Sequence, residues 1–219
     1  MQVIISDEIR NLCPNIKVCV VQAKVSNSPT PQTLSEEMDA LEHRFRVTYM
    51  LDDINKRPAI HATRVAYKAL GKEPARYRPS AEALCRRILR EIPLYRINTL
   101  VDIINIISVE SGFSIGAFDI GKIQGNVLTL GIGKAGEDFE AIGRGQLNIE
   151  GLPVYRDATG GIGTPTSDHE RTKITEETTD LLIIINSYNG IEGLQEAVNH
   201  LLELLLKYAA LDKYDLKYY

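Results

Sequence analysis

The rhythm of apolar and polar positions divides the chain into helical and extended segments. Residues 16–25 are rich in β-branched side chains and predict a strand. Residues 26–31 carry two prolines and predict a loop. From Leu34 onward, apolar residues return every three or four positions through Met38, Leu41, Phe45 and Tyr49, the stripe of an amphipathic helix. Pro58 is expected to end that region. Residues 62–70 predict a short helix closed by Gly71. Pro79 disfavours the helical region for Arg78, so residues 76–79 are expected to be extended. Ser80 is then expected to cap a helix reaching about Glu91, with Glu82 near its positive end. Asn98 can cap the next helix, with Leu100, Val101, Ile104 and Ile107 on its buried stripe and Asp102 and Asn105 on the other face. After Gly112 the pattern shortens. Residues 127–130, 146–149 and 181–185 read as strands separated by glycine turns, and residues 191–208 as a strongly apolar helix. Neither a repeat nor a linker interrupts this order. The expectation is a single domain over residues 1–219 of α+β class, with helices packed on a multi-stranded sheet.

Composition narrows the picture. The 219 residues are 44% hydrophobic and 25% charged, which excludes a disordered or collagen-like chain. The three cysteines, Cys13, Cys19 and Cys85, form no Cys-x-x-Cys pair, so neither a disulfide framework nor a zinc site is predicted. Reduced thiols and a cytoplasmic location are the simpler expectation. The first seven residues lack the basic and apolar regions of a signal peptide, and no apolar run approaches the ~20 residues of a membrane span. No membrane, metal or cofactor is expected.

The net charge of −4 hides an asymmetry. Residues 56–96 hold eleven Lys and Arg against three acids, a local charge of +8, and the rest of the chain carries −12. A basic segment on an acidic body fits a polyanion such as RNA, whose counterions Lys and Arg displace. On charge alone a solvated basic helix face is the better fit, since charge runs usually only solvate a face.

Few motifs survive inspection. Gly131-Ile132-Gly133-Lys134-Ala135-Gly136 matches Gly-x-Gly-x-x-Gly, but the residues after it show no helical stripe, so a hairpin turn is expected rather than a nucleotide loop. His43, His61, His169 and His200 have no partner at metal-ligand spacing. Ser167, Asp168 and His169 are triad residue types, but sequence neighbours rarely converge on one site. The Gly160–Lys173 stretch is either a polar surface loop or a ligand lining. The sharpest pattern is Arg64-x-x-Tyr67-x-x-x-Gly71-x-x-Pro74-x-x-Tyr77-Arg78-Pro79-Ser80-x-Glu82-Ala83-Leu84. Its arginines offer forked donors for phosphate or carboxylate, and its tyrosines can stack on a base or serve as core aromatics.

With two further blocks, this pattern resembles the editing and tRNA-binding domain of the phenylalanyl-tRNA synthetase beta chain, the B3/4 module, in stand-alone form. The second block is Ile97-Asn98-Thr99-Leu100-Val101-Asp102-Ile103-Ile104-Asn105 with Gly116-Ala117-Phe118-Asp119 and Lys122-Ile123-Gln124-Gly125. The third is Val154-Tyr155-Arg156-Asp157 with Arg171-Thr172-Lys173-Ile174-Thr175-Glu176-Glu177-Thr178-Thr179. The core of the match runs from about residue 60 to 187. The resemblance implies a β-sandwich-like core of unusual topology flanked by helices. It implies a tRNA partner recognised at its 3′ aminoacyl end, and hydrolysis of mischarged aminoacyl-tRNA in trans. Aminoacylation is not implied, and neither is DNA binding. The alternative is a non-catalytic module for tRNA or an amino-acid-like small molecule. Positions matching the stand-alone pattern are Arg64, Arg78, Glu82, Asn105, Asp119, Asp157, Thr172 and Lys173, the candidate substrate-binding set. Their structural alternatives are a buried ion pair, with Glu82 or Asp157 meeting an arginine, and turn caps. Arg78 and Asp157 lean to the pocket, Asp102 and Asn105 to structure. The chain departs from the bacterial editing pattern at two places: Gly116 stands where that pattern has His, and Ile184 where it has Glu.

Overall fold

A run of five aliphatic residues, Leu181-Leu182-Ile183-Ile184-Ile185, has no polar side to turn toward water. A strand that carries it must be covered on both faces. The computed structural model, which describes residues 1–219, meets that demand with three layers. In chain order its elements are β1 (Gln2–Ile5), α1 (Asp7–Leu12), β2 (Lys17–Lys24), α2 (Gln32–Thr48), α3 (Pro58–Ala69), α4 (Ser80–Ile88), α5 (Thr99–Ser111), β3 (Ile115–Asp119), β4 (Val127–Ile132), β5 (Glu140–Ala141), β6 (Gly145–Gln146), β7 (Pro153–Arg156), β8 (Gly161–Gly163), β9 (Asp180–Ser187), α6 (Leu194–Tyr208) and β10 (Lys213–Tyr218). Short 3-10 turns lie at Ile54–Lys56, Ile120–Lys122 and Glu170–Thr172.

One sheet has the order β10-β2-β9-β3 and is antiparallel throughout. The other has the order β1-β4-β7-β8, with β1 parallel to β4 and the remaining pairs antiparallel. In β9 the odd positions Leu181, Ile183 and Ile185 join Cys19, Val21 and Ala23 of β2 under helices α2, α4, α5 and α6. The even positions Leu182 and Ile184 join Val18 and Val20 against Val3, Leu128, Leu130 and Tyr155 of the second sheet. Each such side chain contributes about 1.5–3 kcal/mol on burial. The result is the expected α+β architecture, a β-sandwich core with helices on its outer face.

Helix boundaries follow local chemistry. Pro58 does not end a region; it begins α3 at the first helical position, where its missing N–H is no loss. Gly71 ends that segment at φ +80°. Ser80 is the first residue of α4 rather than its cap: Pro79 holds the cap position, and the Ser80 N–H, without an intrahelical partner, donates to the Pro165 carbonyl at 2.8 Å. The helix stops at Ile88, short of Glu91. Residues 73–77 form a turn, with the N–H groups of Arg76 and Tyr77 both donating to the Glu73 carbonyl, so the extended segment is confined to Arg78 and Pro79. Asn98 caps α5 by accepting from the Val101 N–H at 3.1 Å. Strands β1 and β10 lie outside the elements expected from the sequence, and of residues 146–149 only Gln146 is in a strand.

The glycine motif at residues 131–136 opens no helix. The chain leaves β4, runs through the β5–β6 hairpin and returns as β7, beside β4. Gly133 donates to the Leu152 carbonyl and accepts from the Gly151 N–H, and a Cβ there would collide with the Ile149 carbonyl. The motif therefore closes a long β connection rather than a tight hairpin, and it lacks the helix a dinucleotide loop requires. All three cysteines are buried and unpaired. No helix is long and apolar enough to cross a membrane.

The double coverage of β9 gives a direct test. Ile184→Ala should lower unfolding free energy by about 2–5 kcal/mol. Lys217→Ala, on the outer strand β10, should change it by less than about 0.5 kcal/mol. Urea denaturation of the two variants measures the contrast.

Candidate functional site

Seven of the eight candidate residues gather into two clusters joined by one loop. The first forms where α3 meets the start of α4. Glu82 and Arg86 are four apart on α4 and share one helical face, and Arg78 approaches from the extended residues just before the helix. Glu82 is almost fully buried and accepts from Arg64 Nη1 at 2.8 Å and from Arg86 Nε at 2.8 Å. Arg78 Nε lies 3.8 Å from the same carboxylate, too far for a hydrogen bond, and this buried nitrogen has no partner. Three guanidinium groups thus surround one carboxylate, leaving the cluster with net positive charge. Arg78, the most exposed of the three at 36%, is the one whose donors are least committed.

The second cluster forms around the 3-10 turns Ile120–Lys122 and Glu170–Thr172. Asp157 accepts two bonds from Arg171, at 2.9 and 3.0 Å, and three from the N–H groups of Gln124, Thr159 and Gly160. Burial works to raise its pKa, but Arg171 and the backbone donors more than offset it and hold the carboxyl at about 2. That saturated shell matches the ion-pair alternative. Asp119 accepts from the Thr178 hydroxyl at 2.8 Å and from the Gly121 N–H at 2.9 Å, a turn cap at the end of β3. Lys173 pairs with Glu170, and its carbonyl accepts from Lys122 Nζ. The Thr172 hydroxyl is buried without a partner. Asn105 belongs to neither cluster; it is half-buried on α5 and makes no side-chain hydrogen bond.

Residues 163–168 tie the clusters together. Pro165 accepts from Ser80, and the Thr166 hydroxyl bonds the Tyr67 hydroxyl and donates to the Tyr77 carbonyl. Ala81 donates to the Ser114 hydroxyl at 3.3 Å, linking α4 to the residues before β3. Asp168 accepts from the Ala117 N–H at 3.2 Å. All three sequence blocks therefore meet at this corner. Two concave pockets of the protein lie away from this corner. One, of about 380 Å³, is lined by Pro58, Ile107, Glu110, Phe113, Glu192 and His200, and the other, of about 590 Å³, by Thr33, Glu36, Glu37, Ala40, Lys207 and Tyr208.

The register explains Gly116. It pairs directly with Ile184 across β3 and β9, so the two positions where the bacterial pattern carries polar residues do face one another. A Cβ at residue 116 would sit 2.8 Å from Phe118 Cζ, and one at Gly163 would meet the same ring. Phe118 fills the space a side chain at 116 would need. Over both glycines lies the carboxyl of Asp168, which the sequence singles out only as a triad residue type. Burial pushes its pKa up to about 8, opposed only by the Ala117 N–H. The neighbouring His169 has its pKa lowered by burial and by Arg171.

The basic segment is largely committed within the protein. Arg57 donates to the Val109 and Glu110 carbonyls, Lys72 to those of Asn148 and Glu150, and Arg96 to Glu42 and Asp39. Lys68, Arg76 and Arg90 are exposed and have no carboxylate partner. Tyr67 is a core residue, whereas Tyr77 is half-buried, with Lys72 and Arg76 over its ring.

Two variants check these electrostatics. Glu82→Gln leaves three clustered guanidinium groups uncompensated and should cost about 3–5 kcal/mol of stability, read from the denaturation midpoint. The lowered pKa of Asp157 contributes roughly 2 kcal/mol that is fully present above about pH 4 and is lost as pH falls toward 2. Stability of Asp157→Asn should therefore lack that acid-side decline, as followed by circular dichroism across the same range.

Comparison with known proteins places these clusters in a family. The chain is 30% identical over 121 residues to the phenylalanine--tRNA ligase beta subunit of Clostridium tetani (strain Massachusetts / E88), a match covering 55% of this chain and 13% of that protein. Among solved structures, an N-terminal fragment of the phenylalanyl-tRNA synthetase beta-subunit from Pyrococcus horikoshii aligns over 98% of this chain and 50% of its own, at 13% identity and a TM-score of 0.49. The B3/4 domain profile matches residues 62–210, which hold both clusters and the loop between them, and the chain belongs to the B3/4 domain family.

Proposed function

We propose that the chain, acting as one unit over residues 1–219, binds the 3′ aminoacyl end of a tRNA and hydrolyses a mischarged aminoacyl ester there. The observation that carries the reading is the positively charged corner of Arg64, Arg78 and Arg86 around a single buried carboxylate, built against residues 163–168. Guanidinium groups suit phosphate because their planar donors match its oxygens. Tyr77, Lys68 and Arg76 extend the same basic, aromatic surface. The family relationship supports the ligand class, since the C. tetani relative is a tRNA ligase subunit.

Hydrolysis adds water across the ester, releasing the amino acid and the ribose hydroxyl. The ester is already activated, so holding a water in line and donating to the developing oxyanion supply the catalysis. A second reading is non-catalytic holding of tRNA or an amino-acid-like small molecule. It is favoured by one observation: Gly116 and Ile184 face each other as apolar residues under the Phe118 ring.

Filter binding of tRNA over 50–200 mM salt tests the first half. Affinity should fall with salt, and Arg78→Gln should weaken binding and reduce the slope by about one counterion. Release of amino acid from a panel of mischarged tRNAs tests the second half. Binding without release selects the non-catalytic reading. Salt-independent or absent binding overturns the RNA partner.

A further inference from the structure

The two four-stranded sheets have four outer edges, and three of them are blunted. On β3, Ala117 gives its outward N–H to the Asp168 carboxyl at 3.2 Å. β8 is bridged by its own loop through Gly163 and Asp168, with His169 donating to the Ile162 carbonyl. β1 is only four residues long. β10 is the exception: it runs for six residues, is exposed at five of them, and has no strand beyond it. Such an edge is a template for another strand.

The inner pairing of β10 fixes where its free backbone groups point. Val18 and Tyr219 exchange N–H···O bonds at 3.1 and 2.9 Å, and the antiparallel register continues from them without a break. Bonded and unbonded pairs alternate along such a ladder. Lys217 and Asp215 therefore bond β2, while the N–H and C=O groups of Tyr214, Leu216 and Tyr218 point away from the sheet. No loop or turn of the chain bonds them.

A strand docking antiparallel on this edge must bring outward groups of its own, and a second copy of β10 carries them at the same even positions. Turned about a two-fold axis at Leu216, the copy sets Leu216 opposite Leu216, Tyr214 opposite Tyr218, and Asp215 opposite Lys217 on both sides of the axis. The Asp–Lys pairs fall at the non-hydrogen-bonded sites, where facing side chains are closest. Asp215 and Lys217 already meet at 2.9 Å within each chain, both about half exposed, so the four charges alternate in sign around the axis. The neighbouring even registers lose this match. One sets Asp215 against Asp215 and Lys213 against Lys217, and the other sets Lys217 against Lys217.

We infer that two copies of this chain associate through β10 in the Leu216-centred register, joining their sheets into one continuous sheet. The contact is isologous, so it closes as a dimer and does not propagate. A single strand pair is smaller than a standard interface and each hydrogen bond adds little net free energy, so the expected dissociation constant is about 10–100 μM.

Sedimentation equilibrium of the full chain between about 5 and 500 μM tests this, because association follows mass action. The mean mass should rise from 24.4 kDa toward twice that value. Asp215→Lys or Lys217→Asp alone sets like charges opposite one another and should weaken dimerisation by about tenfold or more. An equimolar mixture of the two variants restores opposite charge at every facing pair and should recover the dimer. Because β10 stays bonded to β2 within each chain, these substitutions leave the fold intact, which circular dichroism verifies. If either variant unfolds, amide exchange on the unaltered chain decides: the Leu216 N–H should gain protection as concentration rises, while that of Lys217 stays constant. A monomer throughout the range, a dimer indifferent to the single reversals, no recovery on mixing, or Leu216 exchange independent of concentration overturns the proposal.

Discussion

The structure depends on keeping one strand dry on both faces. β9 has no side it can offer to water, so helices must lie over its odd residues and a second sheet over its even ones. From that requirement follows the order of the first sheet, with β9 held between β2 and β3. The register between β3 and β9 then sets Gly116 opposite Ile184 and brings Phe118 to the sheet interface beside Leu182. Packing needs, rather than the chemistry of any ligand, fix where the corner lies.

Around that dry interior the buried charges are arranged by a simple economy of donors. Arginines, able to serve several acceptors at once, neutralise Glu42, Glu82 and Asp157. Such pairs are weak evidence for stability, because removing charges from water offsets much of the attraction. They do fix geometry, since a half-satisfied arrangement is unfavourable. Against that background the few incomplete groups stand out: Arg78 Nε, the Thr172 and Tyr188 hydroxyls and the Asp168 carboxyl.

Much of this could be read from the chain. β9 was legible because a strand buried on both sides is an uninterrupted aliphatic run, and α2 and α5 because their apolar stripes keep helical spacing. The ion pairs of Glu82 and Asp157 were legible only as alternatives, because a carboxylate among nearby arginines in the matching blocks can be answered by one of them without the sequence saying which. β1 and β10 were not. The first is too short to show alternation, and the second is an edge strand whose Lys and Tyr residues carry no burial pattern. Pro58 misled because proline both stops helices and begins them. The isolation of Asp168 was out of reach for a different reason: the lack of a cation near a carboxyl is a property of the assembled neighbourhood and leaves no trace in residue spacing.

The pairing of β2 has a consequence during synthesis. Its two partners, β9 and β10, begin more than 150 residues later in the chain. While a ribosome is still translating the intervening helices, the Val18-Cys19-Val20-Val21 segment has neither neighbour and leaves sticky edges open on both sides. Folding of this protein is therefore slow to close and exposed to aggregation on the way, and a chaperone that shields an early strand would matter more to its yield than to its final stability.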